Sequence, residues 1–309
     1  MSVRFRSRVH ETLVALATGL IRVAKVGVAL LFFLFASSRA VLLRLAGHSR
    51  KPPFVVVTYH SVKRHERLLF ERQMSHVLKV GSPVYADFEV GDARAHRFVA
   101  VTFDDGYHSI LENALPVLRD RMIPATIFVP TNFLGNSPGW ITDARHRDVD
   151  ERLLTADELK RARTFGALIG SHGVSHRPLT EISKSEAFVE LVESRRVLEQ
   201  LLDQPVRLLA LPYGAGNSDV FGLAARAGYS RVFLSVPVKP SGNPPAQRLG
   251  RVNVTPSDWR LEFWLKVRGA YQWLPSAIAA KGHVLNVIRA VTLQTARRAG
   301  LLLLSYLLV

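Results

Sequence analysis

The 309-residue chain predicts an α/β domain built on a parallel sheet or an α/β barrel. Two observations carry this. Short runs of β-branched and aromatic residues alternate with helix-periodic segments along most of Phe54 to Trp259. Several of those runs also end in side chains suited to chemistry: His60, Asp104 with Asp105, His172 through His176, and Pro212-Tyr213-Gly214. Parallel sheets gather functional groups at the C-terminal ends of their strands, so these residues are expected at one mouth of the fold.

The first fifty residues differ from the rest. Arg4, Arg6 and Arg8 precede an apolar segment, Leu13 to Ile21, and after Arg22 and Lys25 an uninterrupted apolar run extends from Val26 to Ala36. That run falls short of the roughly 20 residues a spanning helix needs. Extension from Leu13 to Leu45 supplies the length but takes in Arg22, Lys25, Arg39 and Arg44. The run ends in Ala-Ser-Ser-Arg without a clear small-x-small cleavage pattern, and basic residues on both flanks give no orientation. Residues 1–50 are read as a membrane anchor, either an uncleaved spanning helix or one lying in the interface. The competing reading is an amphipathic helix buried in the globular domain.

Lys51-Pro52-Pro53 is a linker, and the globular domain is expected over residues 53–260. Phe54 to Tyr59 is a buried-strand pattern. Glu66 to Val80 suits a helix with Leu69, Phe70, Met74 and Val77 on its inner side. Phe98 to Phe103 is the next strand, followed by a helix from Ser109 to Arg121 and a strand from Ala125 to Pro130. Thr155-Ala-Asp-Glu158 has capping-box spacing and starts a helix ending near Thr164. Ala167 to Gly170 is a short strand, and Ser185 to Leu202 an amphipathic helix with Phe188, Leu191, Val192 and Leu198 inward. Val206 to Leu211, Tyr229 to Ser235 and Arg251 to Val254 complete the strands. Asp219 to Ala227 is a further helix, and Pro237 to Pro245 an irregular loop.

Composition narrows the partners. Lys and Arg number 41 against 25 Asp and Glu, a formal charge of +16, which calls for an anionic partner. The absence of cysteine excludes disulfides and thiolate metal sites. No zinc finger, helix-turn-helix signature or RNA-binding aromatic motif is present, and many basic residues lie in the two terminal segments. Anionic membrane lipid therefore explains the charge better than nucleic acid does.

The chemistry centres on Asp104 and Asp105, which close an apolar run and precede Gly106. Adjacent strand residues point to opposite sides, so the two carboxylates can take different roles. Alone, Asp-Asp-Gly reads as a polar turn. His172-Gly-Val-Ser-His176 alters that reading, because Gly173 and Pro178 argue for a loop able to turn both imidazoles inward. Two histidines and one carboxylate form a recurrent divalent-metal set that leaves room for water and substrate.

Taken together, these residues resemble the polysaccharide deacetylases, the NodB-homology or carbohydrate esterase family 4 enzymes. Thr102-Phe-Asp-Asp-Gly106 is similar to their first motif, Ser171-His-Gly-Val-Ser-His176 to their second, and Leu211-Pro-Tyr-Gly214 to the core of their third. The resemblance covers about Phe54 to Val254. It implies a distorted (β/α)7-type barrel, here with an N-terminal hydrophobic helix and a C-terminal basic amphipathic helix. It also implies metal-dependent removal of N-acetyl groups from a glycan, polymeric or lipid-linked. By the resemblance Asp105, His172 and His176 hold the metal, expected to be zinc. Asp104 is the base, and the backbone N–H of Tyr213, after Pro212, serves the oxyanion.

Two departures stand out. The family's third motif carries an arginine two residues before the proline, where this chain has Ala210, and Arg251 is the candidate replacement. The late histidine of the family is missing after Val254. Val57-Thr-Tyr-His-Ser61, however, resembles a motif of the poly-N-acetylglucosamine deacetylase subgroup, whose strand order is permuted. That makes His60 the expected general acid, against a competing reading as a core histidine capping a strand. Residues 261–309 are expected to be helical, with Ser276 to Val309 basic and amphipathic and Trp259, Trp264, Tyr271 and Trp273 leading into it. These aromatics suit a membrane interface, or alternatively packing on the barrel or the N-terminal helix. A bacterial inner-membrane location follows as the expectation. The alternative function is a catalytically inactive, glycan-binding barrel.

Overall fold

The computed structural model describes residues 2–48, 52–90, 97–238 and 247–280, with side chains from residue 16 onward. Residues 1–271 form one compact unit and residues 272–309 a second. In the first, helix α1 (Ser2–Leu45) precedes β1 (Phe54–Tyr59), α2 (Arg67–Val80), β2 (Ser82–Val84), β3 (Phe98–Phe103), α3 (Leu115–Asp120) and β4 (Ala125–Val129). Then come α4 (Ala156–Thr164), β5 (Ala167–Ser171), α5 (Lys184–Leu202), β6 (Leu208–Ala210), α6 (Ser218–Arg226) and β7 (Arg231–Leu234). β8 (Gln247–Gly250), β9 (Val252–Asn253) and α7 (Arg260–Val267) complete the unit.

All pairings in the sheet are parallel, in the order β8-β7-β6-β5-β4-β3-β1-β9, with β2 beside the first half of β3. Only Arg251 separates β8, which pairs with β7, from β9, which pairs with β1. One stretch of chain thus joins both edges of the sheet, giving a nearly closed α/β barrel of the kind the sequence predicts.

Strand alternation divides the core in two. One set, including Val56, Ala100, Phe128, Leu208, Ala210, Phe233 and Leu249, fills the barrel interior. The opposite faces, such as Val55, Val57, Val99, Val101 and Ile127, pack beneath the surrounding helices. At Gly170 a Cβ would lie 2.6 Å from the Phe128 ring, so the interior layer admits only hydrogen there. The far end of the barrel is closed by the segment after β2, where Arg231 donates hydrogen bonds to the carbonyls of Ala86 (2.9 Å) and Phe88 (2.8 Å).

The helices follow their sequence signals closely. The Thr155 hydroxyl accepts from the Glu158 N–H at 3.2 Å, while Glu158 Oε2 accepts from the Thr155 N–H at 2.9 Å, completing the expected capping box. The helix predicted over Ser109–Arg121 instead opens with a π-helical turn, Ile110–Ala114, before α3. Pro116 lacks the N–H of a continuous α-helical ladder, and the wider turn accommodates its loss. Leu69, expected inward on α2, is 40% exposed, whereas Phe70, Met74 and Val77 are buried.

α1 lies against α7 along one narrow stripe. Val26 and Ala29 are buried with Leu265 and Tyr271, and the rings of Phe33 and Trp264 meet edge to face at 4.8 Å. Arg22 pairs with Glu262 at 2.6 Å and stacks over Trp259 at 4.5 Å. Trp264 and Tyr271 thereby take the packed alternative rather than facing outward. The other faces of α1 remain exposed and apolar: Leu20, Leu31 and Phe35 are 70%, 69% and 68% exposed. In the second unit residues 274–280 are helical, and the expected amphipathic segment beyond 280 lies outside the described residues.

Candidate metal centre and active site

Two strand ends converge. Asp104 and Asp105 follow β3, His172 follows β5, and His176 lies in the loop after it. Donor atoms of Asp105, His172 and His176 all lie within 4.8 Å of one another, and all three side chains are buried. The Nε2 atoms of His172 and His176 stand 3.6 Å and 3.2 Å from Asp105 Oδ1.

The backbone is strained to achieve this. Asp105 (φ 65°), His176 (φ 58°) and Tyr213 (φ 57°) all occupy the left-handed region, which costs a non-glycine residue about 1–3 kcal/mol. The left-handed turn at Asp105 breaks the alternation of β3 and brings its carboxylate to the histidines. Gly106 continues the turn at φ 65°, where a Cβ would lie 2.9 Å from Val129.

The donors are prepared for a cation. His172 Nδ1 is 2.8 Å from the Ala210 carbonyl, which takes the ring proton and leaves the Nε2 lone pair facing Asp105. Burial lowers the pKa of His172 to about 4, so the ring is neutral near neutrality. Asp105 Oδ1 is buried without a hydrogen-bond donor, an orphaned acceptor that a divalent ion would satisfy. Burial pushes the Asp105 carboxyl pKa up, but its interaction with His176 and then with the neighbouring imidazoles more than offsets this and holds the carboxyl well below its ordinary value. The residues present fit a hard or borderline divalent metal.

Asp104 turns into the barrel. Its two carboxylate oxygens accept from Arg251 Nη1 and Nη2 at 2.6 Å and 2.7 Å, a two-pronged pair buried at 3% and 0% exposure. Burial raises the Asp104 pKa, yet Arg251 and then His172 outweigh it, so the carboxyl sits below its ordinary value. The guanidinium reaches Asp104 from the one residue between β8 and β9, and rests 5.3 Å over the Phe128 ring. Ala210 is buried in the interior, and its carbonyl is the one that orients His172.

His60 is exposed at the same mouth and makes no hydrogen bond among the described residues, so it caps no strand. It lines a pocket of about 160 Å³ with His146, Arg147, Asp148 and the segment Val254–Pro256. Pro212 is buried, while Tyr213 is 59% exposed with its ring centroid 4.9 Å from that of His176.

Three site residues escaped sequence reasoning. Trp140 stacks on His176 at 4.1 Å and 21°, forming a wall of the centre. Tyr107 is buried against Asp105, and burial first, then the charge of Asp105, keeps its hydroxyl protonated. Asp148, 2% exposed, accepts from the Ser61 hydroxyl beside His60. A lone tryptophan and an Arg-Asp pair in a loop carry no periodic signal. Only their position after β4, at the end of the barrel bearing the site, marks them.

Comparison with known proteins agrees with this geometry. The profile of the family described as polysaccharide deacetylase matches residues 91–232. A chitooligosaccharide deacetylase from Bradyrhizobium sp. is 26% identical over 161 residues, 52% of this chain and 65% of that protein. A poly-β-1,6-N-acetyl-D-glucosamine N-deacetylase from Staphylococcus aureus is 28% identical over 141 residues, 43% of this chain and 46% of that protein. The chain thus spans less than two thirds of the length of these relatives. The solved structure of IcaB from Ammonifex degensii superposes with a TM-score of 0.58 at 26% identity, covering 73% of this chain and 99% of that one.

Proposed function

Because the chain belongs to the polysaccharide deacetylase family, we propose that it hydrolyses N-acetyl groups from an N-acetylated glycan, releasing acetate and leaving a free amine on the sugar. The observation that carries this reading is the pairing of two adjacent, differently employed carboxylates. Asp105 faces two imidazoles, and Asp104 is held ionised by a buried arginine.

Asp105, His172 and His176 would hold a divalent metal ion, with zinc the best match to a nitrogen- and oxygen-donor set. Bound there, the ion supplies Lewis acidity toward the amide carbonyl and toward water. Asp104 accepts the proton of the attacking water, a role for which its fixed, ionised carboxylate is suited. Arg251 keeps that carboxylate in one orientation. The Tyr213 N–H, presented by the left-handed turn after Pro212, donates to the developing oxyanion. His60, exposed and unpaired, donates a proton to the departing sugar nitrogen as the C–N bond breaks. Trp140 and Tyr213 flank His176 and offer flat apolar surface to a sugar ring.

α1 supports membrane attachment. Leu16–Leu45 forms a 30-residue apolar helical stretch of which the most apolar part is only 11% buried. With its packed stripe on α7 and its remaining faces bare, it anchors the barrel at a membrane, and the net charge of +16 favours anionic lipid.

The roles are tested by variants of the full-length protein assayed for acetate release from N-acetylglucosamine oligomers. Asp104→Asn should lose at least about 10²-fold in turnover while retaining its metal, and His60→Ala should lose about 10² to 10⁴-fold. Full activity in Asp104→Asn would remove the assignment of the base.

A further inference from the structure

One cavity of the barrel unit lies apart from the metal centre. It is a groove of about 770 Å³ between α1, α2 and α7, of a size that accommodates a small amphiphile. Its apolar lining comes from Leu30 of α1, Leu69 of α2, and Leu261, Phe263 and Trp264 of α7. Leu69 and Leu261 are 40% and 46% exposed, an unusual choice for side chains with a core beside them.

Its polar lining includes three cations. Arg72, Lys79 and Arg260 border the groove, are exposed, and have no carboxylate or hydrogen-bonding partner among the described residues. His76 lines it too, and its Nε2 is buried and unpartnered. The carboxylate that reaches the groove, Asp258, is already engaged by Lys266 at 2.7 Å. An apolar floor, three unneutralised cations and a vacant hydrogen-bonding nitrogen together describe the complement of a phosphate attached to hydrocarbon. The groove is also continuous with α1, whose exposed apolar faces are those assigned above to the membrane. Its wall at Pro256 is shared with the pocket containing His60, so an occupant would sit beside the catalytic mouth.

We propose that this groove binds an anionic membrane phospholipid, with an acyl chain on the Leu30–Leu69–Trp264 floor and the phosphate on Arg72, Lys79 and Arg260. Such a lipid fixes the barrel against the bilayer. The inference rests on α1 being a membrane anchor but is independent of the deacetylase assignment.

The test uses full-length protein reconstituted into phosphatidylcholine vesicles containing phosphatidylglycerol with a photoactivatable acyl chain. Irradiation should label peptides spanning residues 67–80 and 256–264. The corresponding phosphatidylcholine probe should label them far less. Replacing Arg72, Lys79 and Arg260 together by Gln should weaken phosphatidylglycerol capture by about a hundredfold, at roughly fivefold per cation near a membrane surface. Flotation with the vesicles reports the anchor separately. Protein that floats but carries no label on those peptides overturns the groove and leaves the anchor standing, and protein that does not float overturns both. Equal labelling by the two probes, undiminished labelling of the triple variant, or competition by inorganic phosphate alone would each overturn the phospholipid assignment. Acetate release from soluble oligomers should be the same in the triple variant as in the unmodified protein.

Discussion

At the residue scale the site turns on one guanidinium. Arg251 is fully buried and forms both bonds of its fork to Asp104, so its removal strands a carboxylate in the barrel interior. Arg251→Ala should therefore destabilise the fold by about 3–5 kcal/mol, measurable by denaturant unfolding, and depress acetate release in the fraction that folds. Arg251→Lys keeps the charge and loses the fork, so it should fall between the two. An alanine variant with unchanged stability and turnover would show that Asp104 is oriented by something else. The identity of this arginine was only half legible in the sequence. The gap at Ala210 pointed to a missing cation, and Arg251 opened a predicted strand, but nothing in the residue order fixes which side of a closing strand faces the interior. The position of His60 at the mouth was legible from its place after β1. Trp140, Tyr107 and Asp148 were not, because their roles come from loops folding over the mouth, where no periodicity records which side chain turns inward.

At the element scale the parallel strands and their helices were largely readable, since β-branched runs and capping residues are local signals. β1 and β3 have the predicted bounds, and the Thr155–Glu158 box sits where its spacing requires. β2 and β8 were missed: Ser82-Pro-Val84 is too short to show alternation, and Gln247-Arg-Leu-Gly250 is too polar to read as buried. Both become strands because a neighbouring strand offers unpaired backbone groups, a tertiary cause. The α4 cap makes a pH prediction. Arg152 foremost, with the Thr155 N–H, lowers the Glu158 pKa from an ordinary 4.5 to about 2 despite partial burial. A depressed carboxyl pKa contributes stability that is present above pH 4.5 and lost as pH falls toward 2. Thermal melts of the native protein and of Glu158→Gln should thus differ at pH 6 and converge as the pH approaches 2. A gap independent of pH would mean the glutamate acts through packing alone.

At the scale of the whole molecule, the chain unites a barrel with its chemistry at one end and an apolar helix docked on its flank. The closing strand links the two halves of this design. β8 and β9 bring the sheet edges together, Arg251 between them holds Asp104, and the segment after β9 walls both the His60 pocket and the groove beside α1. Sequence patterning identified the apolar helix but not its stripe on α7, because Val26, Ala29 and Phe33 are indistinguishable from their exposed neighbours until a partner is in place. The central claim is that this arrangement performs metal-dependent N-deacetylation. It is tested most directly by acetate release from N-acetylglucosamine oligomers by the purified full-length protein, measured before chelation, after it, and after a divalent metal is restored. The account predicts acetate from the untreated protein, loss of at least about 10²-fold on chelation, and recovery on adding metal back. Release that is indifferent to chelator at full metal depletion would contradict the Asp105–His172–His176 centre. Metal and glycan binding with no acetate from any N-acetylated sugar would contradict the enzyme itself and leave a glycan-binding barrel in its place.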